Sequence, residues 1–235
     1  MKHTLLIKDW LSSFLSLLFP RCCVVCGRPL AKGEECICTV CNINLPRTNY
    51  HLRKDNPVER LFWGQIPLER ATSFFFYEKG SDFRLILHRL KYGGQKEIGA
   101  IMGRYMAAEL LSSNFFQGID VIIPIPLHKK KQQIRGYNQS QRLARGIAAV
   151  TGMPIDTESI LRKKNTETQT RKSVFERRDN VEGIFELQHP ETLAGKHILI
   201  VDDVLTTGST TLACASCLVD VEDIRISILT LAMVE

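Results

Sequence analysis

Two adjacent carboxylates precede a run of small hydroxylated residues in ILIVDDVLTTGSTT, Ile198 to Thr211. The apolar run Ile198 to Val201 predicts a buried strand that ends at Asp202 and Asp203. A helix beginning near Ser209 then presents its N-terminal amides to the intervening loop. Thr206, Thr207, Gly208, Ser209 and Thr210 supply backbone N–H groups and hydroxyls there, and Gly208 permits close approach, which suits a phosphate monoester. The aspartates cannot bind that phosphate. They can accept hydrogen bonds from sugar hydroxyls or hold a divalent metal through water. Phosphate beside diol describes a ribose 5-phosphate.

A second set of reactive side chains lies near the start of the 235-residue chain. Six of its eight cysteines fall between residues 22 and 41, and four repeat one spacing, Cys23-Val-Val-Cys26 and Cys38-Thr-Val-Cys41. Thiolates from two such knuckles can meet tetrahedrally around one zinc ion. Each knuckle needs a turn just past its second cysteine. Gly27 and Asn42 stand there, the residue types that best tolerate a left-handed backbone. Cys22 and Cys36 are alternative thiols. The metal is expected to staple an element too small to build its own core, since no aromatic or basic triplet lies between the pairs to read bases. Disulfides are disfavoured because no export signal accompanies the cysteines.

Composition sets the frame for these sites. Hydrophobic residues make up 44% and charged residues 24% of the chain, ordinary for a soluble globular protein with one α/β domain and a small appendage. The net charge of +6 is local: Lys129, Lys130, Lys131, Arg135, Arg142 and Arg145 occur between His128 and Arg145 with no acid among them. A second basic stretch, Arg162 to Arg178, is opposed only by Glu167 and Glu176. Both suit polyanions, or else a solvated basic face. In residues 1–19, Ile7, Trp10, Leu11, Phe14, Leu17 and Leu18 recur at helical spacing around Asp9, which predicts an amphipathic helix rather than a signal or membrane span. The chain is read as cytoplasmic, with no stable membrane insertion.

The elements that must position these groups follow from periodicity. Residues 1–45 carry the amphipathic helix and the cysteine element, residues 46–70 read as a polar, proline-bearing linker, and residues 71–235 form the main domain. ATSFFFYE opens that domain as a strand, and Gly93-Gly94 divides the following helical pattern into two helices. IDVIIPIP is a short buried strand ended by its prolines. LHKKKQQIRGYN reads as a basic loop, QSQRLARGIAAVTG as a helix closed by Gly152, and KNTETQTRKSVFERRDN as a long lid-like loop. HILIVDD and IRISILTLAMV are strands flanking the helix TLACASCLVD. Such alternation gives a parallel sheet flanked by helices, with its ligand site at the carboxyl edge. Cys214, Cys217, His88, His128, Trp10 and Trp63 read as packing or structural residues.

The Ile198–Thr211 stretch resembles the PRPP signature of type I phosphoribosyltransferases at every position. Together with FPRCCVVCG, ICTVC, LKYGG, PIPLHKKKQQIRGYNQSQ and QTRKSVFERRDNVEGIF, the chain resembles the ComF family over nearly its full length. That resemblance implies the type I phosphoribosyltransferase fold with a small N-terminal four-cysteine zinc element. It implies a structural Zn2+ on Cys23, Cys26, Cys38 and Cys41, and Mg2+ accompanying PRPP. Asp202 and Asp203 would bind the ribose hydroxyls and Thr206 to Thr210 the 5′-phosphate. Lys129 to Lys131 and Arg135 would meet pyrophosphate, and Asn138 and Gln139 would lie near the sugar or acceptor. A hood over Asn165 to Asn180 would contribute Gln169, Arg177 and Asn180. The expected activity is phosphoribosyl transfer to an unidentified acceptor in the context of DNA uptake. The alternative is a non-catalytic PRPP sensor or single-stranded-DNA-binding scaffold that meets a helicase and other transformation proteins, with Tyr92, Tyr137 and Phe175 as stacking aromatics.

Overall fold

In the computed structural model, residues 20–163 and 183–234 are described. The expected N-terminal amphipathic helix and the hood, with Gln169, Phe175, Arg177 and Asn180, lie outside the described residues. Four parallel strands form the main sheet in the order β1 (Leu68–Tyr77), β6 (Arg225–Val234), β5 (His197–Leu205), β2 (Val121–Pro124). A separate antiparallel pair joins β3 (Ile160–Arg162) to β4 (Phe185–Leu187). Successive side chains of a strand point to opposite faces. Leu199 and Val201 accordingly enter one apolar cluster, and Ile198 and Ile200 the other. With both faces covered, the central stretches of these strands are largely apolar, as buried parallel strands tend to be, with Thr72, Ser73, Ser227 and Thr230 as buried polar exceptions.

On the first face pack α3 (Arg84–Tyr92), α4 (Glu97–Leu110) and α6 (Gln139–Thr151). On the second lie α2 (Pro57–Arg60) and α7 (Ser209–Ser216). The cysteine element, with its short helix α1 (Thr39–Ile43), joins the first cluster through Cys36, Ile37 and Leu45. Arg104 and Arg47 of the two sides pair with Glu35 and Glu109. No helix among the described residues is long and apolar enough to cross a membrane.

Three expectations change. Residues 46–70 are packed rather than loose. Asn56 and Glu59 form a reciprocal capping box around Pro57 at the start of α2, Asn56 Nδ2 donates to Ala71 O at 2.9 Å, and Val58 and Phe62 are fully buried. The backbone of Pro46 to Thr48 bonds to Phe74 and Phe76, covering the β1 edge, and β1 itself starts at Leu68. The basic stretch after β2 is a helix, α5 (Lys129–Arg135), whose first turn is capped by His128 Nδ1 accepting from Lys130 N. Trp63 is 53% exposed beneath the Arg60 guanidinium, so it is not a core residue.

The approach of α4 to α6 depends on glycine. A Cβ on Gly103 would fall within van der Waals distance of the Leu143 carbonyl oxygen, and one on Gly146 would collide with that of Ala100. Backbone meets backbone along this seam, which fixes where α6 begins relative to the sheet. Gly146→Ala should therefore lower unfolding free energy by about 1–3 kcal/mol, read as a reduced urea midpoint at unchanged m-value. An unchanged midpoint would mean that the seam relaxes freely.

Candidate ribose-phosphate site and thiol cluster

Strand β5 does not stop before the acids but continues through them to Leu205, because Asp202, Val204 and Leu205 pair with Thr230, Ala232 and Met233 of β6. Asp202 and Asp203 are consequently held by sheet geometry at its carboxyl edge. Asp202 Oδ1 accepts from Ser140 Oγ at 2.9 Å and from the Asp203 amide at 2.8 Å. Lys91 Nζ stands 3.2 Å from Asp203 Oδ2. Burial, and then the adjacent Asp203 charge, push Asp202 up to about 7, while these donors and Lys91 pull the other way.

The phosphate-type loop follows directly. Gly208 has φ 75° at the N-cap of α7, a conformation open to glycine at no steric cost. The Phe62 ring lies under it, 3.3 Å from where a Cβ would stand. Thr206, Thr207 and Thr210 are exposed, and Thr207 Oγ1 bonds Ser209 Oγ at 2.8 Å. The first-turn amides of a helix lack intrahelical acceptors and favour an anion. A cavity of about 480 Å3 opens beside the loop, between Thr207, Ser209, Leu212, Gln65 and Phe185.

The first turn of α6 braces both the acids and the turn after β2. Asn138 Nδ2 donates to Ile125 O at 2.9 Å while its Oδ1 caps Ser140 N at 3.0 Å. Ser140 then reaches Asp202. Gln139 between them is buried, and its Nε2 has no hydrogen-bond partner among the described residues. Of the basic residues on α5, Lys129 and Lys130 are exposed and Lys131 is half-buried. Burial lowers the Lys131 pKa first, followed by Arg162, Arg135 and Lys91, so four cations gather on this side. Arg135 stacks over the Tyr92 ring at 5.4 Å and Arg162 over Phe185 at 5.3 Å. Tyr137, expected as a stacking aromatic, is buried and donates its hydroxyl to Leu90 O at 2.5 Å; Tyr92 is 69% exposed.

Sequence reasoning overlooked Lys91, Ser140 and Phe62, and named Arg162 only as the start of a basic stretch. Lys91 has the appearance of an ordinary cation in the last turn of a helix. Ser140 was detectable only through its place one residue past Asn138-Gln139. Cys214, as expected, is a packing residue: it is fully buried, and Cys217 is half-buried with its thiol donating to the Cys214 carbonyl.

The sulfurs of Cys23, Cys26, Cys38 and Cys41 all lie within 4.8 Å of one another. Tetrahedral ligands at zinc–sulfur distance are about 3.8 Å apart, and Cys26 Sγ is 3.7 Å from Cys38 Sγ. Both knuckles close alike, with Gly27 N donating to Cys23 O at 2.9 Å and Asn42 N to Cys38 O at 2.8 Å. Only Gly27 is left-handed; Asn42 is helical because its knuckle opens into α1. Arg28, 3.4 Å from the Cys26 sulfur, holds that thiol down at about 6. Burial and the neighbouring sulfurs push Cys41 up, a crowding that a cation relieves. Cys36 is turned away, its thiol against Met102 Sδ at 3.9 Å, and Cys22 bonds Pro20 O. The donor set fits a single tetrahedral metal.

A parallel sheet that carries an acid pair and a phosphate loop on one strand–helix turn is the arrangement of a phosphoribosyltransferase-type α/β protein. The chain belongs to the phosphoribosyl transferase domain family, whose model matches residues 94–232. It is 33% identical over 209 residues to DNA utilization protein YhgH of Escherichia coli O157:H7, covering 83% of this chain and 88% of the relative. Competence protein ComFC of Bacillus subtilis (strain 168) is 26% identical over 216 residues, covering 90% and 83%. Among solved structures, adenine phosphoribosyltransferase from Leishmania tarentolae aligns with 80% of this chain and 94% of its own at 11% identity and a TM-score of 0.38.

The raised Asp202 carboxyl has a consequence for stability. Between about pH 4, where a free aspartate titrates, and about 7, where Asp202 does, the folded chain holds a proton that the unfolded chain has lost. Unfolding free energy contributed by this group falls as pH rises across that window. Asp202→Asn keeps the acceptor oxygen and removes the charge. It should stabilise the ligand-free protein by about 1–2 kcal/mol at pH 8, with the gain vanishing near pH 4. Denaturant unfolding at the two pH values checks this, and a gain independent of pH would contradict it.

Proposed function

We propose that the protein binds PRPP with Mg2+ and transfers its phosphoribosyl group to a nitrogen nucleophile. The observation that carries this reading is the continuity of Asp202 and Asp203 with the Thr206–Thr210 loop at the carboxyl edge of β5. The two carboxylates would accept from the ribose hydroxyls, and the Thr206–Thr210 amides and hydroxyls would bind the 5′-phosphate. Lys129, Lys131 and Arg135 would face the pyrophosphate, which leaves as its C1–O bond breaks and the nitrogen–C1 bond forms, the nitrogen losing its proton. Asn138 holds the turn that follows β2, and the buried Gln139 amide would donate toward the sugar or acceptor. Gln169 and Arg177 would contribute from the hood. The carboxylates would stabilise positive charge developing on the ribose. Mg2+, when bound, would neutralise the leaving group.

The names of the relatives support a role in DNA utilization or competence, and we place the protein in the cytoplasm as part of this proposal. A second reading, a non-catalytic PRPP sensor or single-stranded-DNA scaffold working with a helicase and other transformation proteins, is favoured by the exposed basic face of α5 beside the exposed Tyr92 ring. Calorimetric titration with PRPP and Mg2+ separates the PRPP-binding readings from the DNA scaffold, and pyrophosphate release separates the transferase from the sensor. Saturable binding is expected, weakened at least about 100-fold in the Asp202→Asn/Asp203→Asn double mutant, with pyrophosphate released when the acceptor is supplied. A folded wild type that binds no PRPP would hand the leading place to the DNA and protein partners.

The four-thiol cluster we assign to one structural Zn2+, stapling an N-terminal element to the transferase-like domain. Elemental analysis should find about one zinc per chain. Cys38→Ser or chelation should release it and lower the melting temperature, as removal of a structural metal does. A metal-free protein with unchanged melting would remove the assignment.

A further inference from the structure

Lys91 belongs to neither the acid pair nor the phosphate loop, yet its ammonium ion is the cation nearest to Asp203, at 3.2 Å. The pair is only partly shielded, with 25% of the lysine and 13% of the aspartate side chain exposed. Lysine carries a compact charge on a flexible four-carbon stem, so this one can change partner without moving the backbone. It sits in the last turn of α3, before Gly93 and Gly94. Next to it in sequence, Tyr92 lies under the Arg135 guanidinium of α5, and Lys131 of α5 feels Lys91, Arg135 and Arg162 together. Lys91 thus stands between a carboxylate suited to a ribose hydroxyl and a group of cations suited to a diphosphate. Both parts of a phosphoribosyl diphosphate lie within reach of one side chain.

We propose that Lys91 is a diphosphate-binding residue held in reserve by Asp203: in the free protein it neutralises the acid, and on binding it passes to the pyrophosphate while the ribose hydroxyl takes its place on Asp203. This rests on the PRPP reading of the site. The exchange keeps Asp203 compensated in both states and couples occupation of the diol site to charge delivery at the leaving group. A ligand with diol and 5′-phosphate but no diphosphate displaces Lys91 without giving it a new anion. The site therefore discriminates PRPP from ribose 5-phosphate through this one ammonium.

The test compares three ligands, PRPP with Mg2+, pyrophosphate with Mg2+, and ribose 5-phosphate, by calorimetry on wild type, Lys91→Met and Lys91→Arg. Lys91→Met should weaken PRPP and pyrophosphate about 10- to 100-fold, the range for a lost charged hydrogen bond. Ribose 5-phosphate should stay within about threefold of wild type or bind more tightly, since Asp203 no longer has a competing partner. Lys91→Arg, which keeps the charge, should recover part of the PRPP affinity. Equal weakening of all three ligands by Lys91→Met would make Lys91 a structural brace and overturn the proposal; so would no change in any. If the wild type binds ribose 5-phosphate as tightly as PRPP, the proposal falls while the ribose-phosphate site stands. If it binds none of the three, the underlying PRPP reading falls with it.

Discussion

Placing two carboxylates side by side at the edge of a buried sheet is the constraint to which the surrounding structure answers. Adjacent like charges repel, and burial penalises each further. The pair persists because donors reach it from its own strand, through the Asp203 amide, and from two elements distant in sequence, Ser140 of α6 and Lys91 of α3. Each donor depends on a packing arrangement of its own. Ser140 reaches Asp202 only because α6 starts where it does, and that start is set by the glycine contact between α4 and α6 and by Asn138 anchoring to Ile125.

The cysteine element enters the same framework. Cys36 lies against Met102 on α4, one residue from Gly103, whose missing side chain admits α6. The thiol cluster and the acid pair are thereby connected through one helix pair in a shared apolar cluster. This connection is spatial and structural. It gives the element a reason to be joined to this fold, because the four clustered thiols, held by the metal proposed above, would fix the segment that covers α4.

How legible the site was depended on where its parts lie in the sequence. The acids, the loop and the helix behind them occupy consecutive residues, the strand legible as an apolar run and α7 as the helix that Gly208 precedes. The four thiols were equally plain from their repeated spacing, and geometry alone excluded Cys36 and Cys22. What stayed hidden was whatever long-range packing supplies. Phe62 lies in a stretch that reads as a linker because proline and polar residues dominate it, although Asn56-Pro57-Val58-Glu59 is itself a helix start by its capping box. The lysine run after β2 reads as a loop because charge masks the periodicity of a short helix, and only the glycine that caps it, Gly136 at φ 77°, marks its end.

This division has a physical cause that bears on function. In a parallel sheet the strand-to-helix turn forms a ligand pocket from contiguous backbone, so recognition of the phosphate and the diol can be written locally. On the PRPP reading proposed above, the leaving group and the acceptor would sit farther out, against side chains drawn from α3, α5 and β3 whose neighbours are set by packing. Lys91, Lys131, Arg135 and Arg162 come from three segments, α3, α5 and β3, and two of the four are fixed by stacking on Tyr92 and Phe185. Two proteins could share the whole of the Ile198–Thr211 stretch and differ in every one of these cations. On that reading, recognition of the sugar phosphate would be written in the turn itself, while the chemistry done to it would be decided by residues that only the folded chain brings together.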